Sequence, residues 1–400
     1  MSLFRTNQIT VLSESYIMPR TLPLALSALL ILCLSPAVMA QTQPIPVPSP
    51  PSVGANGYVL LDFHTNKVLA ERNSDTRLDP ASLTKVMTAF VVFSELKAGN
   101  LQLTDPVQIS ENAWRAKGSR MFIEVGSQIS VENLLRGMIV QSGNDASIAL
   151  AEHIAGSEQT FAALMNQYAD ELGMANTQYT NAAGLPEDDH YSTAADTARL
   201  VRALINRFPE YYGYYSERSF VWNDIEQFNR NRMLWQDDSV DGVKTGYTES
   251  AGYCLATSAE RDGMRLISVV MGTDSAAARV QASKSLLNFG YRFYETRRLY
   301  AADDVIEETR VWKGEREQLP LGLADALHIT VPSRAYDRVE ASLEVDQPIQ
   351  APIEAGTVLG RLTISLDGES LASRDVVALE PVTQAGLVGR LVDSVKLWLN

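Results

Sequence analysis

Cysteine is almost missing from this chain: there are two in 400 residues, Cys33 and Cys254. Cys33 lies inside an N-terminal apolar segment, so the remainder has no internal disulfide to form and no cysteine-based metal site. Cys33 also lacks the small residues that precede a lipid-modified cysteine, and Cys254, in an apolar strand-like run, reads as core. Positive charge is in short supply as well. Thirty-four Lys and Arg face 48 Asp and Glu, a net charge of −14, which leaves no overall basic footprint for nucleic acid. The N-terminal apolar run, Leu24 to Leu34, is eleven residues long, too short for a comfortable membrane span. The four histidines, His64, His153, His190 and His328, have no spaced partners that would make a Ser-His-Asp triad. His190 stands beside Asp188 and Asp189, but no second His or Cys at ligand spacing completes a metal site, so neither a metal nor another cofactor is implied.

What is present describes a large folded protein. A composition of 46% hydrophobic and 20% charged residues supports a sizeable core, and 400 residues imply two or three domains. Residues 1–40 read as a signal peptide, with Arg20 as its basic flank and Val38-Met39-Ala40 as a cleavage site before Gln41. Met18 is an alternative start. Residues 41–52 are a Pro-rich linker. Tyr58–Asp62 and Val68–Glu71 around Thr65-Asn66-Lys67 predict a hairpin. A helical block follows, with helices expected from Pro80 to Gly99, over Leu134–Val140 and Asn144–Ile154, and over 159–172 and 193–208. The last two are separated by the polar loop Asn181–Ser192. Tyr253–Ala259 and Met264–Gly272, joined at Arg261-Asp262-Gly263, predict a second hairpin, closed by a helix from about Ala277 to Tyr294. This order predicts an α+β domain over 53–296, an antiparallel sheet packed with helices. Residues 297–383 alternate apolar and polar, as in Val339, Ala341, Leu343 and Val345, and predict a small all-β domain. Over 386–400, Leu387, Val388, Leu391, Val392, Val395, Trp398 and Leu399 share one helical face opposite Arg390, Asp393 and Lys396. Such a helix suits the interfacial plane of a membrane; docking on the β-domain is the alternative.

The chemistry starts at Pro80-Ala81-Ser82-Leu83-Thr84-Lys85. Ser82 and Lys85 share one helical face, and a lysine held among apolar residues is neutral enough to act as base for an otherwise weak serine nucleophile. Alone, the pair would far more often be a helix cap and a solvated charge. Two more stretches accompany it. Ser142-Gly143-Asn144 lies at a junction between helices, and Lys244-Thr245-Gly246 comes just before the Tyr253 strand, with a glycine that lets a ligand approach the backbone.

In this order, behind a signal sequence, the three motifs resemble those of penicillin-binding proteins and class A β-lactamases. The wording DPASLTK, QSGNDAS, NRNRMLW, VDGVKTGYTESAGYCL and MRLISVVMG is similar to the low-molecular-weight D-alanyl-D-alanine carboxypeptidases, over roughly residues 50–400. The resemblance implies a β-lactamase/transpeptidase-like fold and a serine-type hydrolase that removes the terminal D-alanine from peptidoglycan stem peptides ending in D-Ala-D-Ala. It implies an acyl-enzyme, acylation by β-lactam antibiotics, and a place in cell wall biogenesis and cell shape at the periplasmic face of a bacterial inner membrane, with the C-terminal helix as anchor. Ser82 would be the nucleophile, Lys85 its base and Ser142 a proton relay to the departing amine. Asn144 would hold the substrate amide, Lys244 would contribute positive field near the Ser142 hydroxyl, and Thr245 would hydrogen-bond the terminal carboxylate, with Gly246 leaving room. The amides of Ser82 and Tyr247 would form the oxyanion hole, and Arg279 would be the second carboxylate partner. A DD-endopeptidase, a β-lactamase using Glu187, Asp188 or Asp189 for deacylation, and a non-catalytic cell-wall scaffold are the alternatives. Whether Lys85 or a group in the Asn181–Ser192 loop activates the deacylating water is open at this level.

Overall fold

The computed structural model describes residues 46–399, so the expected signal peptide and linker residues 41–45 lie outside the described residues. The chain divides into two compact units, Pro48–Thr296 and one that holds Arg297–Asn400.

The first unit is built on a five-stranded antiparallel sheet in the order Val68–Arg72, Gly57–Asp62, Met264–Thr273, Gly252–Arg261, Val240–Thr248. Strands from the two ends of the unit therefore lie side by side, with Leu60 paired to Ala70 on one flank and to Ser268 on the other. The helical block fills the space between them in sequence. Its central helix, Thr84–Ala98, is buried on nearly all sides from Thr84 to Phe93. That explains an apolar pattern broader than a stripe. Truncating Phe90, which is fully buried, would cost about 3–5 kcal/mol. The α-helix begins later than Pro80: Ala81–Leu83 form a 3-10 turn with Ala81 at φ 46°, and Gly99 ends the helix. Val131–Ile139, Asn144–Ala155, Glu158–Glu171 and Ala194–Arg207 follow close to their expected places.

One difference bears on the site. Lys244-Thr245-Gly246 does come just before the Tyr253 strand, and it is itself part of a strand that the sequence pattern does not predict, the edge strand Val240–Thr248, with Lys244 paired to Ala256 and Gly246 to Cys254. Residues 242–246 are all buried, so the strand lacks the alternation by which a half-exposed strand is recognised. Cys254 is fully buried and free, and burial pushes its thiol up to about 11.

The second unit carries a six-stranded sheet, ordered Val339–Val345, Val358–Leu366, Glu369–Ala378, Gln318–Gly322, Val305–Trp312, Ile349–Gln350. Leu319, Leu321, Leu343, Leu362, Ile364 and Val376 form its core. A terminal helix, Leu387–Leu399, is tied to this unit where the Lys313 backbone N–H donates to Asp393 Oδ2 at 2.6 Å.

Candidate active site

The 3-10 turn sets Ser82 at the start of the buried helix, where the next turn delivers Lys85. Lys85 Nζ is 2.9 Å from Ser82 Oγ, 2.7 Å from Asn144 Oδ1 and 2.6 Å from the Ala183 carbonyl. Lys85 is 1% exposed. Burial lowers its pKa to about 7, against the opposing pull of Asp145 and Glu158. A side chain that is normally a fixed cation thus exchanges its proton near neutrality, in contact with the hydroxyl.

The cage around Lys85 has supports of its own. Asn181 Oδ1 accepts from the backbone N–H groups of Ala183, Gly184 and Leu185 at 3.2, 2.7 and 3.0 Å. Glu158 Oε1 accepts from the Ala182 N–H at 3.0 Å, and Thr88 Oγ1 donates to the Ala182 carbonyl at 2.7 Å. These bonds fix the Ala183 carbonyl that faces Lys85. At Gly184, φ is 79° and a side chain would run into the Ala81 carbonyl and the Thr84 hydroxyl, so glycine is required.

Ser142 sits between Val131–Ile139 and Asn144–Ala155 with φ 67°, 4% exposed. Asn144, which lines the cleft, also has a part beyond the expected one. Its Oδ1 faces Lys85, and its Nδ2 donates to the Lys117 carbonyl at 2.6 Å, so it orients the base and ties down the 117–123 segment. The neighbouring Asp145 is buried and accepts from the N–H groups of Met121, Phe122 and Ile123 at 3.0, 3.0 and 3.4 Å, shaping the same segment.

The facing wall is the Val240–Thr248 strand. Lys244 and Thr245 are buried, and the ammonium of Lys244 makes, among the described residues, a single hydrogen bond, to the Thr245 carbonyl at 3.1 Å. Burial holds its pKa well below the usual lysine range, and the positive charges of Lys85, Arg279 and Arg230 push the same way. At Gly246 a Cβ would sit 3.0 Å from the Pro80 carbonyl and 3.3 Å from the Ser82 nitrogen, so the strand packs backbone against the nucleophile turn. Tyr247 is 55% exposed and its ring lies 4.3 Å from that of Tyr253. Arg279, in the helix Ala276–Phe293, is buried; its Nη1 donates to the carbonyls of Gly246 and Cys254 at 2.9 and 3.3 Å, while its buried Nε has no partner. Arg279 therefore braces the strand as well as standing near its cations.

A cleft of about 450 Å³ opens between the walls. Ser82, Asn144 and Tyr247 line it with Ala183, Gly184 and Leu185, and so do Arg120, Phe122, Gln141 and Arg230, which the motifs alone do not single out. Arg230 lies in the NRNRMLW stretch, which was the one signal for it. The loop carboxylates are elsewhere: Glu187, Asp188 and Asp189 are exposed, and Glu187 Oε1 accepts from Asn181. His190, read from sequence as partnerless, is buried. Its Nδ1 accepts from the Thr180 N–H at 3.0 Å, so its Nε2 carries the proton and donates to Thr84 Oγ1 at 2.8 Å. It pins the loop to the residue preceding Lys85.

Residues 45–275 match the D-alanyl-D-alanine carboxypeptidase family, and residues 294–384 match the penicillin-binding protein 5 C-terminal domain. The chain is 41% identical over 382 residues to D-alanyl-D-alanine carboxypeptidase DacC of Escherichia coli K12, covering 94% of this chain and 95% of the relative. It is similar to the crystal structure of penicillin-binding protein 5 from Haemophilus influenzae, with a TM-score of 0.78, 42% identity, and coverage of 84% of this chain and 99% of that one. Penicillin-binding protein D2 from Listeria monocytogenes in its ampicillin-bound form matches at 30% identity with a TM-score of 0.56, over 60% of this chain and all of that one.

Proposed function

The chain belongs to the D-alanyl-D-alanine carboxypeptidase family, and from that premise we propose how its own residues divide the work of a serine-type DD-carboxypeptidase. The enzyme removes the terminal D-alanine from peptidoglycan pentapeptides through an acyl-enzyme and is acylated by β-lactams. Ser82 Oγ attacks the carbonyl of the penultimate D-alanine while neutral Lys85 takes its proton; the 2.9 Å contact inside a buried cage is the observation that carries this reading. The backbone N–H groups of Ser82 and Tyr247 stabilise the oxyanion, an effect worth about 3 kcal/mol per donor in other enzymes. The proton returns to the departing D-alanine amine through Ser142. Lys244, Thr245 and Arg279 hold the substrate's terminal carboxylate, a group that compensates the positive charge gathered on that wall. Asn144 acts mainly on Lys85.

For deacylation, the loop contributes Ala183, Gly184 and Leu185 to the cleft and none of its acidic side chains. We assign activation of the water to Lys85, which regains its neutral form once the amine has left. This favours a carboxypeptidase over a β-lactamase.

The remaining readings concern location. Residues 1–40 direct export and are removed before Gln41, which places the enzyme in the periplasm. The terminal helix holds it to the inner membrane. Among the described residues no helix is long and apolar enough to cross a membrane, but Leu387, Val388, Trp398 and Leu399 are 70% or more exposed. An apolar face so uncovered supports binding in the plane of the interface.

Incubation with a pentapeptide ending in D-Ala-D-Ala should release free D-alanine and no separated muropeptides from cross-linked material. Release by Ser82→Ala at the wild-type rate would refute the mechanism. Deleting residues 386–400 should free the protein from membranes; unchanged association would rule out the anchor.

A further inference from the structure

The second unit has a pocket of about 420 Å³ beside the first turns of the terminal helix. Its polar wall is Lys313, Gln350, Gln384 and Arg390, and its apolar wall is Leu387 and Leu391. Each cation is steadied by a carboxamide: Lys313 Nζ donates to Gln350 Oε1 at 2.8 Å and Arg390 Nη1 to Gln384 Oε1 at 3.1 Å. Arg390 Nε is buried with no hydrogen-bond partner. The carboxylate on the adjoining helical turn, Asp393, accepts from the Lys313 backbone N–H through Oδ2, and among the described residues no ion pair links it to either cation. Two fixed cations with unused donors, next to leucines that continue into an exposed apolar face, match an anion that carries a greasy arm.

We propose that this pocket receives the phosphodiester of an anionic phospholipid, with Lys313 and Arg390 on the phosphate and the acyl chains lying along Leu387 and Leu391. The proposal rests on the interfacial reading of the terminal helix and adds to it a headgroup preference and a fixed depth. Inorganic phosphate offers the same charge without the apolar arm, so it would meet only half of the pocket. Diffuse attraction to a negative surface is the competing account. It depends on the number of cations near the membrane and not on which side chain carries them.

The test uses the purified mature protein and vesicles of phosphatidylcholine with or without about 30% phosphatidylglycerol, a content chosen to give the strongly negative surface that recruits nearby cations. The protein should bind both and prefer the anionic ones. Arg390→Lys keeps the charge but loses the planar donor set, so it should lower binding to anionic vesicles roughly tenfold while neutral vesicles are unaffected. Arg390→Gln and Lys313→Gln should each lose more than Lys396→Gln, an equal charge change on the same unit outside the pocket. If Arg390→Lys behaves as wild type, or the three glutamine variants lose equally, attraction is diffuse and the pocket is overturned. If inorganic phosphate displaces the protein from anionic vesicles at micromolar concentration, the site is one for free phosphate and the lipid assignment is overturned. If wild type binds no vesicle at all, the anchor reading itself fails, an outcome distinct from the other two.

Discussion

The two walls of the active-site cleft are built on opposite electrostatic plans. On the Ser82 side the base and its supports are committed: Lys85 meets three acceptors, Asn144 and Asn181 are bonded at both ends, and His190 uses both ring nitrogens. On the Lys244 side the donors outnumber the acceptors. Lys244 has one carbonyl for its ammonium, and Arg279 has a buried Nε with none. The base is held in place without substrate, as suits a proton transfer whose geometry must be set beforehand; the second wall has donors to spare, which suits the carboxylate proposed for it. Both lysines are buried, yet one is surrounded by acceptors and the other by cations. Burial alone does not decide what a lysine does.

The largest expected effect comes from breaking the first wall. Lys85→Arg keeps a cation that cannot lose its proton, so kcat/KM for D-alanine release, and the rate of covalent labelling by penicillin followed by mass spectrometry, should fall by about 10³-fold or more. In wild type the same lysine predicts an acid limb: activity should fall as pH drops through about 7, where Lys85 takes up its proton.

His190 tests whether that wall is held together by a neutral ring. Burial lowers its pKa from 6.5 to about 4. Between those values the unfolded chain binds the proton and the folded chain does not, so stability rises with pH across that window and is lost on acidification from 6.5 to 4. The loss amounts to about 3 kcal/mol. Denaturant melts of His190→Gln should show a flatter acid slope than wild type, and an unchanged slope would mean the ring is protonated in the fold.

The second wall predicts a different signature. Lys244→Gln should lower kcat/KM about 10- to 100-fold for a peptide with a free terminal carboxylate and much less for its C-terminal amide. Equal losses on both would mean that Lys244 serves the chemistry and not carboxylate recognition. The smallest effect is expected for Glu158→Gln, which preserves an acceptor for the Ala182 N–H but removes a negative charge that favours the Lys85 ammonium. The acid limb of the pH profile should move to lower pH; an unmoved limb with lowered kcat would make Glu158 purely a loop support.

The sequence made the first wall's chemical pair legible because Ser82 and Lys85 are three residues apart, and local spacing carries its own geometry. It concealed the supports of that pair. Asn181 and Glu158 act only indirectly, through the backbone amides of Ala182 to Leu185, and His190 reaches Thr84 from 106 positions away; such residues look like any polar loop until the loop is folded. The edge strand stayed hidden for the converse reason. Val240–Thr248 is covered on both faces around its lysine, so it offers no alternation by which a strand is recognised. The terminal helix was plain because its two faces differ and little covers them; in the β-rich unit only the strands with clear alternation stood out.

Cys254 gives the enzyme an experimental convenience. Its thiol is fully buried and held in the protonated form up to about pH 11, and a chain that starts at Gln41 has no other cysteine. A cysteine introduced at an exposed position, such as Ser250, whose hydroxyl lies 3.2 Å from that of the cleft-lining Thr248, or Ser394 on the terminal helix, would therefore be the sole site for a maleimide dye. Fluorescence could then report ligand binding near the cleft and test the proposed membrane contact, without first removing a native thiol.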